Sequence, residues 1–292
     1  MPALAGYHYA FRNIAFHSEE WVASRIDGCI RDGLDYIARE GTFARSVEAD
    51  GEPPPHHFFL ERTLDLEEHP ELRRQIAEGK RVNRDNDEWR MYFGMPGWPR
   101  QELTATDEYR FAMAAKSPQS LAYAVWFSYA LYPRLVNLPD NHKRVLLQEP
   151  ERLKPGYDLT HALMAYLWMR EMNPVEAKRD DVDRLIGHVN ARLYDEQSAA
   201  IATSDLYNER VAFFLYQEDG PPIRQRWIER IMMSQNDDGG WTFEPSTMRS
   251  IAQMFGLDPT GISNPHASFL AVYALTKYRE QMRGSGAMVD TP

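Results

Sequence analysis

The sequence predicts an all-α protein, a closed barrel of helical hairpins in which buried inner helices alternate with striped outer ones. Three observations point to it. Period-two alternation is scarce, while apolar residues recur at helical spacing through most of the 292 residues. Four segments, 118–132, 158–172, 204–217 and 265–278, are apolar most of the way round, as buried helices are. Between and beside them lie amphipathic segments near 141–148, 179–194 and 222–234. Inner and outer helices joined by short loops describe a solenoid closed on itself, each unit burying a face on the next.

The first helix is expected from about Ser18 to Glu40, with Trp21, Val22, Ile26, Ile30, Leu34 and Ile37 in one stripe. Ser18 is its N-cap, Glu19 and Glu20 complement the helix dipole, and Gly41 closes it. Pro53 to Pro55 then forbid helix. His69-Pro70 begins a short polar helix through about Lys80, and Arg81 to Thr104 reads as a long ordered loop. Together 41–105 form a loop-rich insertion placed to cover the barrel mouth. No linker divides the chain, so 1–292 is read as one domain.

Composition narrows the function. A formal charge of −10 argues against wrapping nucleic acid or clinging to anionic lipid, both of which need dense positive charge. No run approaches the ~18 apolar residues of a membrane span. The first twenty residues lack a cationic start followed by an apolar core, so no secretory signal is read and cytoplasm is the default address. The single cysteine, Cys29, excludes an internal disulfide and a Cys-rich zinc knuckle, and it is expected to be a buried, inert thiol.

A faint internal repeat supports the barrel. Asn264 to Tyr278 matches Tyr157 to Glu171 when His266 is laid on His161, and Ser117 to Leu131 opens similarly with Gln119 at that place. Ile228 to Trp241 reads IERIMMSQNDDGGW, preceded by Arg226 and Trp227. Gln235, Gly239 and Trp241 occupy the three defining places of the glutamine-tryptophan motif, and the segment resembles that motif of terpenoid cyclases. The helix opening with His266 is similar to the last repeat of protein prenyltransferase beta subunits. The resemblance covers about sixty residues and implies an α/α-toroid. Physically, Gln235 at the end of an outer helix can reach orphan backbone groups of a neighbouring helix terminus. Gly239 and Gly240 let the chain turn, and Trp241 is a plate over the joint.

The cyclase acid motifs are absent. Asp85-Asn86-Asp87-Glu88 ends in Glu, and Asp180-Asp181-Val182-Asp183 has the wrong spacing for magnesium and opens a polar outer helix, where its charges suit the dipole. A better constellation comes from the inner helices. Asp158 and His161 share a first turn, Asp205 and Glu209 are i and i+4 with Asn208 adjacent, and His266 follows Pro265. If the inner helices run parallel, these first turns meet at one mouth. Asp158, His161, Asp205 and His266 are then the ligand set of a divalent metal such as zinc. Prenyltransferase beta subunits resemble this in their Asp, Cys and His zinc ligands, although only His266 carries across and the Cys has no equivalent.

Each residue also has a structural reading: Asp158, Ser204 and Asp205 as N-caps, and His161 and His266 as core histidines satisfied by carbonyls. His188 is expected at the surface or between helices, and His8, His56 and His57 are further candidates near the mouth. The leading expectation is a metal-assisted hydrolase or lyase acting on a small-molecule or oligomeric substrate, with Glu209 as base. Without a metal, Tyr207 or His161 beside a carboxylate would do acid/base work. Two alternatives stand beside it. One is a terpenoid-cyclase-like enzyme lacking the acid motif; the other is a non-catalytic toroid binding a peptide or lipid in its cavity.

Overall fold

A computed structural model describes residues 17–39, 61, 69–82, 122–132, 138, 140–172, 178–200, 203–242 and 263–284. Among these residues there are nine α-helices: α1 Glu19–Ala38, α2 Pro70–Val82, α3 Ala122–Leu131, α4 Asp140–Lys143, α5 Tyr157–Met172, α6 Arg179–Ala199, α7 Asp205–Tyr216, α8 Gln225–Met233 and α9 Pro265–Gly284. A π-helical turn, Arg144–Gln148, and a 3₁₀ turn, Pro150–Arg152, follow α4. The fold is all-α; among the described residues the only β-pairing is a single antiparallel bridge between Trp241 and Asn264. The segments 41–60, 83–105, 118–121 and 243–262, with Gly41, His56, His57, Asp85 and Gln119, lie outside the described residues, as does His8.

The chain divides into two compact units. The first comprises Met1–Phe43, Thr63–Asp65 and Gln197–Pro292, and the second Ala44–Arg62 and Leu66–Glu196. In the first unit α9 packs against α7, α1 and α8. The stripe read on α1 is its buried face: Val22, Ile26, Ile30, Leu34 and Ile37 are all buried. Ser18 caps that helix by accepting from the Trp21 amide at 3.3 Å, with Glu19 and Glu20 in the first turn. α1 ends at Ala38, two residues before the expected end, because Arg39 turns extended. α9 runs six residues beyond the expected Tyr278, its last turns carrying Arg279 to an ion pair with Asp27 of α1 at 2.8 Å.

The second unit pairs α3 with α5. From Leu159 to Met169 all but His161 of the α5 residues are buried, so no apolar stripe could show in the sequence. Tyr166 donates its hydroxyl to the Leu146 carbonyl in the π-turn, and Arg192 of α6 donates to the Pro150 and Leu153 carbonyls at 2.9 and 2.8 Å. Those bonds tie α5 and α6 to the irregular turns, where the Pro150 carbonyl also accepts from the Leu153 amide at 3.2 Å. Asp180 and Asp181 lie in the first turn of α6 as expected, and His188 is exposed on it.

The turn after α8 holds the first unit's helices in register. Gly239 has φ +89°, and a Cβ there would meet the Asp32 carbonyl oxygen of α1 at 2.4 Å. Gly33 on α1 faces the same joint: a Cβ would lie 2.6 Å from Val272 and 2.9 Å from the Trp241 ring. The Trp241 indole is buried and donates to the Ile231 carbonyl at 2.7 Å, while its amide donates to Ser268 Oγ at 2.8 Å. Gln235 Nε2 donates to the Cys29 carbonyl at 2.9 Å and to the Gly239 carbonyl at 2.8 Å. This corrects one expectation. Gln235 reaches a carbonyl in the middle of α1, using the second lone pair of a group already within the helix, and not a helix terminus.

Replacing Gly239 with Ala is expected to destabilise the protein by at least ~1–2 kcal/mol, the left-handed backbone cost, with the Asp32 contact adding to it. Gly187 is the contrast: it sits within α6 with open space around it, so Gly187→Ala should stabilise by up to ~1 kcal/mol. Denaturant midpoints of the two variants check both signs. An unchanged midpoint for Gly239→Ala would show that the turn is not built as described.

Candidate functional site

α7 begins with Ser204 in extended backbone, whose hydroxyl accepts from the Tyr207 amide at 3.1 Å. Asp205 is therefore the first helical residue and not the cap, and its side chain is released for another partner. It is fully buried, and His266 Nδ1 donates to its Oδ1 at 2.6 Å. His266 is placed by the start of α9: Asn264 caps that helix, its Oδ1 accepting from the Ala267 amide at 3.2 Å, and Pro265 supplies the first helical residue. The His266 side chain is 28% exposed, so the dyad joins a buried carboxylate to a ring that reaches solvent. A carboxylate cannot be left unpaired at that depth. Asn208, one turn on, adds a second tie from α7 to α9 through a 3.2 Å bond to the Ala267 carbonyl. Glu209 and Arg210, which follow it, are both buried.

Tyr207 is buried against the same helix start. Burial raises its phenol to about 12, and the nearby Arg230 and Arg226 guanidinium groups and Gln197 oppose that rise. It is thus a neutral proton donor at ordinary pH, which corresponds to the acid half of the acid/base work expected of it.

Asp158 and His161 belong to the second unit. α5 begins at Tyr157, so Asp158 lies inside its first turn and is not the N-cap expected from the sequence. Its Oδ1 accepts from the Tyr123 hydroxyl at 2.7 Å and its Oδ2 from the Lys154 amide at 3.3 Å. His161 Nδ1 donates to the Tyr157 carbonyl at 2.7 Å, and its ring stacks on Tyr123 with centroids 4.0 Å apart. The shared face expected for Asp158 and His161 is real: both engage Tyr123 of α3. The repeat that laid His266 on His161 gives them different work. His161 bonds its own helix and His266 a neighbouring one, because they stand fifth and second in their helices.

The structure therefore pairs Asp205 with His266 directly and holds Asp158 with His161 around one tyrosine. Among the described residues no group of three or more His, Cys, Asp and Glu side chains is placed to hold a metal ion. A closed zinc site needs four ligands and a catalytic one three. Sequence reasoning missed Tyr123, although it lies three and four residues before Trp126 and Phe127 on one helix face. It also missed the Trp126 indole donating to His142 Nδ1 at 3.1 Å. Burial lowers the His142 pKa, and the bond requires that nitrogen to stay unprotonated. Cys29 is half-buried where a buried thiol was expected: burial, then the Asp32 charge, raises its thiol pKa, and its carbonyl is the part that anchors Gln235.

No known family model, curated protein or solved structure matches this chain significantly. Among the described residues no helix is long and apolar enough to cross a membrane.

The Tyr207 shift has a consequence for stability. Its folded pKa lies above the unfolded value of 10, so its contribution is complete below pH 10 and is lost as pH rises toward about 12. Denaturation midpoints measured from pH 9 to 12 should fall less steeply for Tyr207→Phe than for the parent. Parallel curves would mean that the phenol is not protected.

Proposed function

We propose that the chain is an α/α-toroid of terpenoid-cyclase-like architecture that binds an apolar ligand, a peptide or lipid, in its cavity without catalysing a reaction. The turn after α8 supports the architecture. Its Gln, Gly and Trp lock α8 to α1 and α9, which is the job that a barrel of hairpins requires at each joint. The observation that carries the binding reading is the state of the first-turn polar groups. Asp158 is engaged by Tyr123 and Lys154, His161 by the Tyr157 carbonyl, Asp205 by His266 and Asn208 by the Ala267 carbonyl. Groups bonded to their own framework position helices; they are not displayed for chemistry.

One observation favours a second reading, the metal-assisted hydrolase or lyase. A carboxylate hydrogen-bonded to Nδ1 of a partly exposed imidazole is the arrangement that orients a metal-ligating or proton-transferring histidine. In that reading His266 is the ligand, Asp205 orients it and Glu209 is the base.

Titration with a fluorescent fatty acid and with a labelled apolar peptide, alongside elemental analysis of the purified protein, separates the two. Binding predicts saturable uptake of one probe, metal well below one equivalent, and no effect of His161→Ala on uptake. About one zinc per chain, lost in His266→Ala, would replace this reading with the enzyme. Cyclic products from a polyprenyl diphosphate would replace it with the cyclase.

A further inference from the structure

A second polar cluster lies in the first unit, uses neither Asp205 nor His266, and is rich in donors. Gln197, near the end of α6, and Arg230 on α8 lie against the Tyr207 hydroxyl on α7, and the charge of Arg226, one turn earlier on α8, also acts on it. Tyr207 and Gln197 are completely buried, and the two arginines are half-buried. Arg230 spends one nitrogen on the Ala200 carbonyl at 2.7 Å, which fixes the guanidinium in place. Arg230 and Gln197 approach the phenol closely enough to act on it, yet the hydroxyl makes no hydrogen bond of regular geometry. The same holds for both amide atoms of Gln197 and for Arg226 Nε, all of them shielded from solvent.

Buried polar atoms are almost always bonded, so the three donors among these four atoms, the Tyr207 hydroxyl, Gln197 Nε2 and Arg226 Nε, call for an acceptor. The composition of the cluster states what kind. The hydroxyl and the amide can each donate and accept, but the two guanidinium groups only donate, so donors outnumber acceptors. Both charges acting on Tyr207 are positive, and among the described residues neither Arg226 nor Arg230 forms an ion pair. A water molecule would satisfy donors but would not offset two positive charges beside a buried phenol. An oxyanion does both, since its oxygens accept several charge-assisted bonds and a guanidinium fork matches their spacing.

We propose that Tyr207, Gln197, Arg226 and Arg230 form a binding site for an oxyanion, the carboxylate or phosphate group of a small ligand. Arg230, held by the Ala200 carbonyl, and Arg226, one helical turn earlier, supply the charge. Tyr207 donates its phenol proton and Gln197 its amide. The site is independent of the cavity reading: it uses none of the groups on which that reading rests, and it binds its anion whether or not the fatty acid or peptide probe is taken up.

The test uses the full chain, with melting temperature and calorimetric titration followed in inorganic phosphate, in acetate and in chloride at matched ionic strength. A saturable rise with phosphate or acetate beyond that in chloride is expected. Phosphate alone identifies a phosphate-bearing ligand, and acetate alone a carboxylate. Arg226→Met should weaken the response by roughly tenfold or more, the loss of one charge-assisted contact, and Arg226→Lys by less. Should Arg226→Met fold poorly by circular dichroism, Tyr207→Phe, which keeps the ring and removes only the donor, should still weaken binding severalfold. Exposed Arg184→Met is the control and should change nothing. A response equal to that of chloride, or one untouched by Arg226→Met and Tyr207→Phe, would overturn the proposal.

Discussion

Gln235 holds two carbonyls at once, one in the middle of α1 and one in the turn that follows its own helix. Neither bond is strong alone, since a neutral hydrogen bond nets about 1 kcal/mol. Their value lies in what they fix. With Gln235 in place, the chain passes so close to α1 that only glycine fits at position 239, and Trp241 is delivered between α8 and α9. The indole then meets Gly33, where any side chain on α1 would collide with it. Asn236, Asp238 and Ser263 close the turn from the outside: Asn236 donates to Ser263 at 2.8 Å, and Ser263 to Asp238 at 2.6 Å. The start of α9, and so the position of His266, depends on this joint.

Three carboxylates, found across both units, are each held by neighbouring groups. Asp205 lies at the bottom of its environment but faces an imidazole, Asp158 faces a phenol and an amide, and Glu229 accepts from Gln225 at 2.6 Å. The helix starts, where backbone donors lack partners, are where these groups gather. That is also where catalytic and metal-binding residues gather in proteins that have them, so a list of acidic and imidazole side chains at helix starts does not separate the two cases. Their partners do. The cluster around Tyr207 differs because its donors outnumber its acceptors and, among the described residues, neither of its guanidinium groups forms an ion pair.

Much of the helical rhythm was legible in the sequence. α1, α2, α5, α7 and α8 fall within a few residues of where periodicity, caps and prolines put them. Ser18 and Ser204 were legible as caps because a short hydroxyl before an apolar run has few other uses there. The α9 helix outruns the expected Tyr278 because its apolar run ends before its last packed turn, where Met282 is buried and Arg279 reaches Asp27. Asp158 was misread as a cap because Asp is a good cap wherever it precedes an apolar run, while Gly156, with φ 87°, already turns the chain one step earlier.

The sequence by itself determined the helical class, the buried segments, the glycine turn and the candidate residues, because these depend on local preference and on the period of apolar side chains. Only the tertiary structure decided which polar groups meet. Asp205 finds His266 sixty-one residues away, and the charges of Arg226 and Arg230 act on Tyr207, because packing brings distant segments together. No spacing along the chain encodes that distance. A buried charge or donor is defined by the partner that packing supplies, and packing is a property of the whole unit.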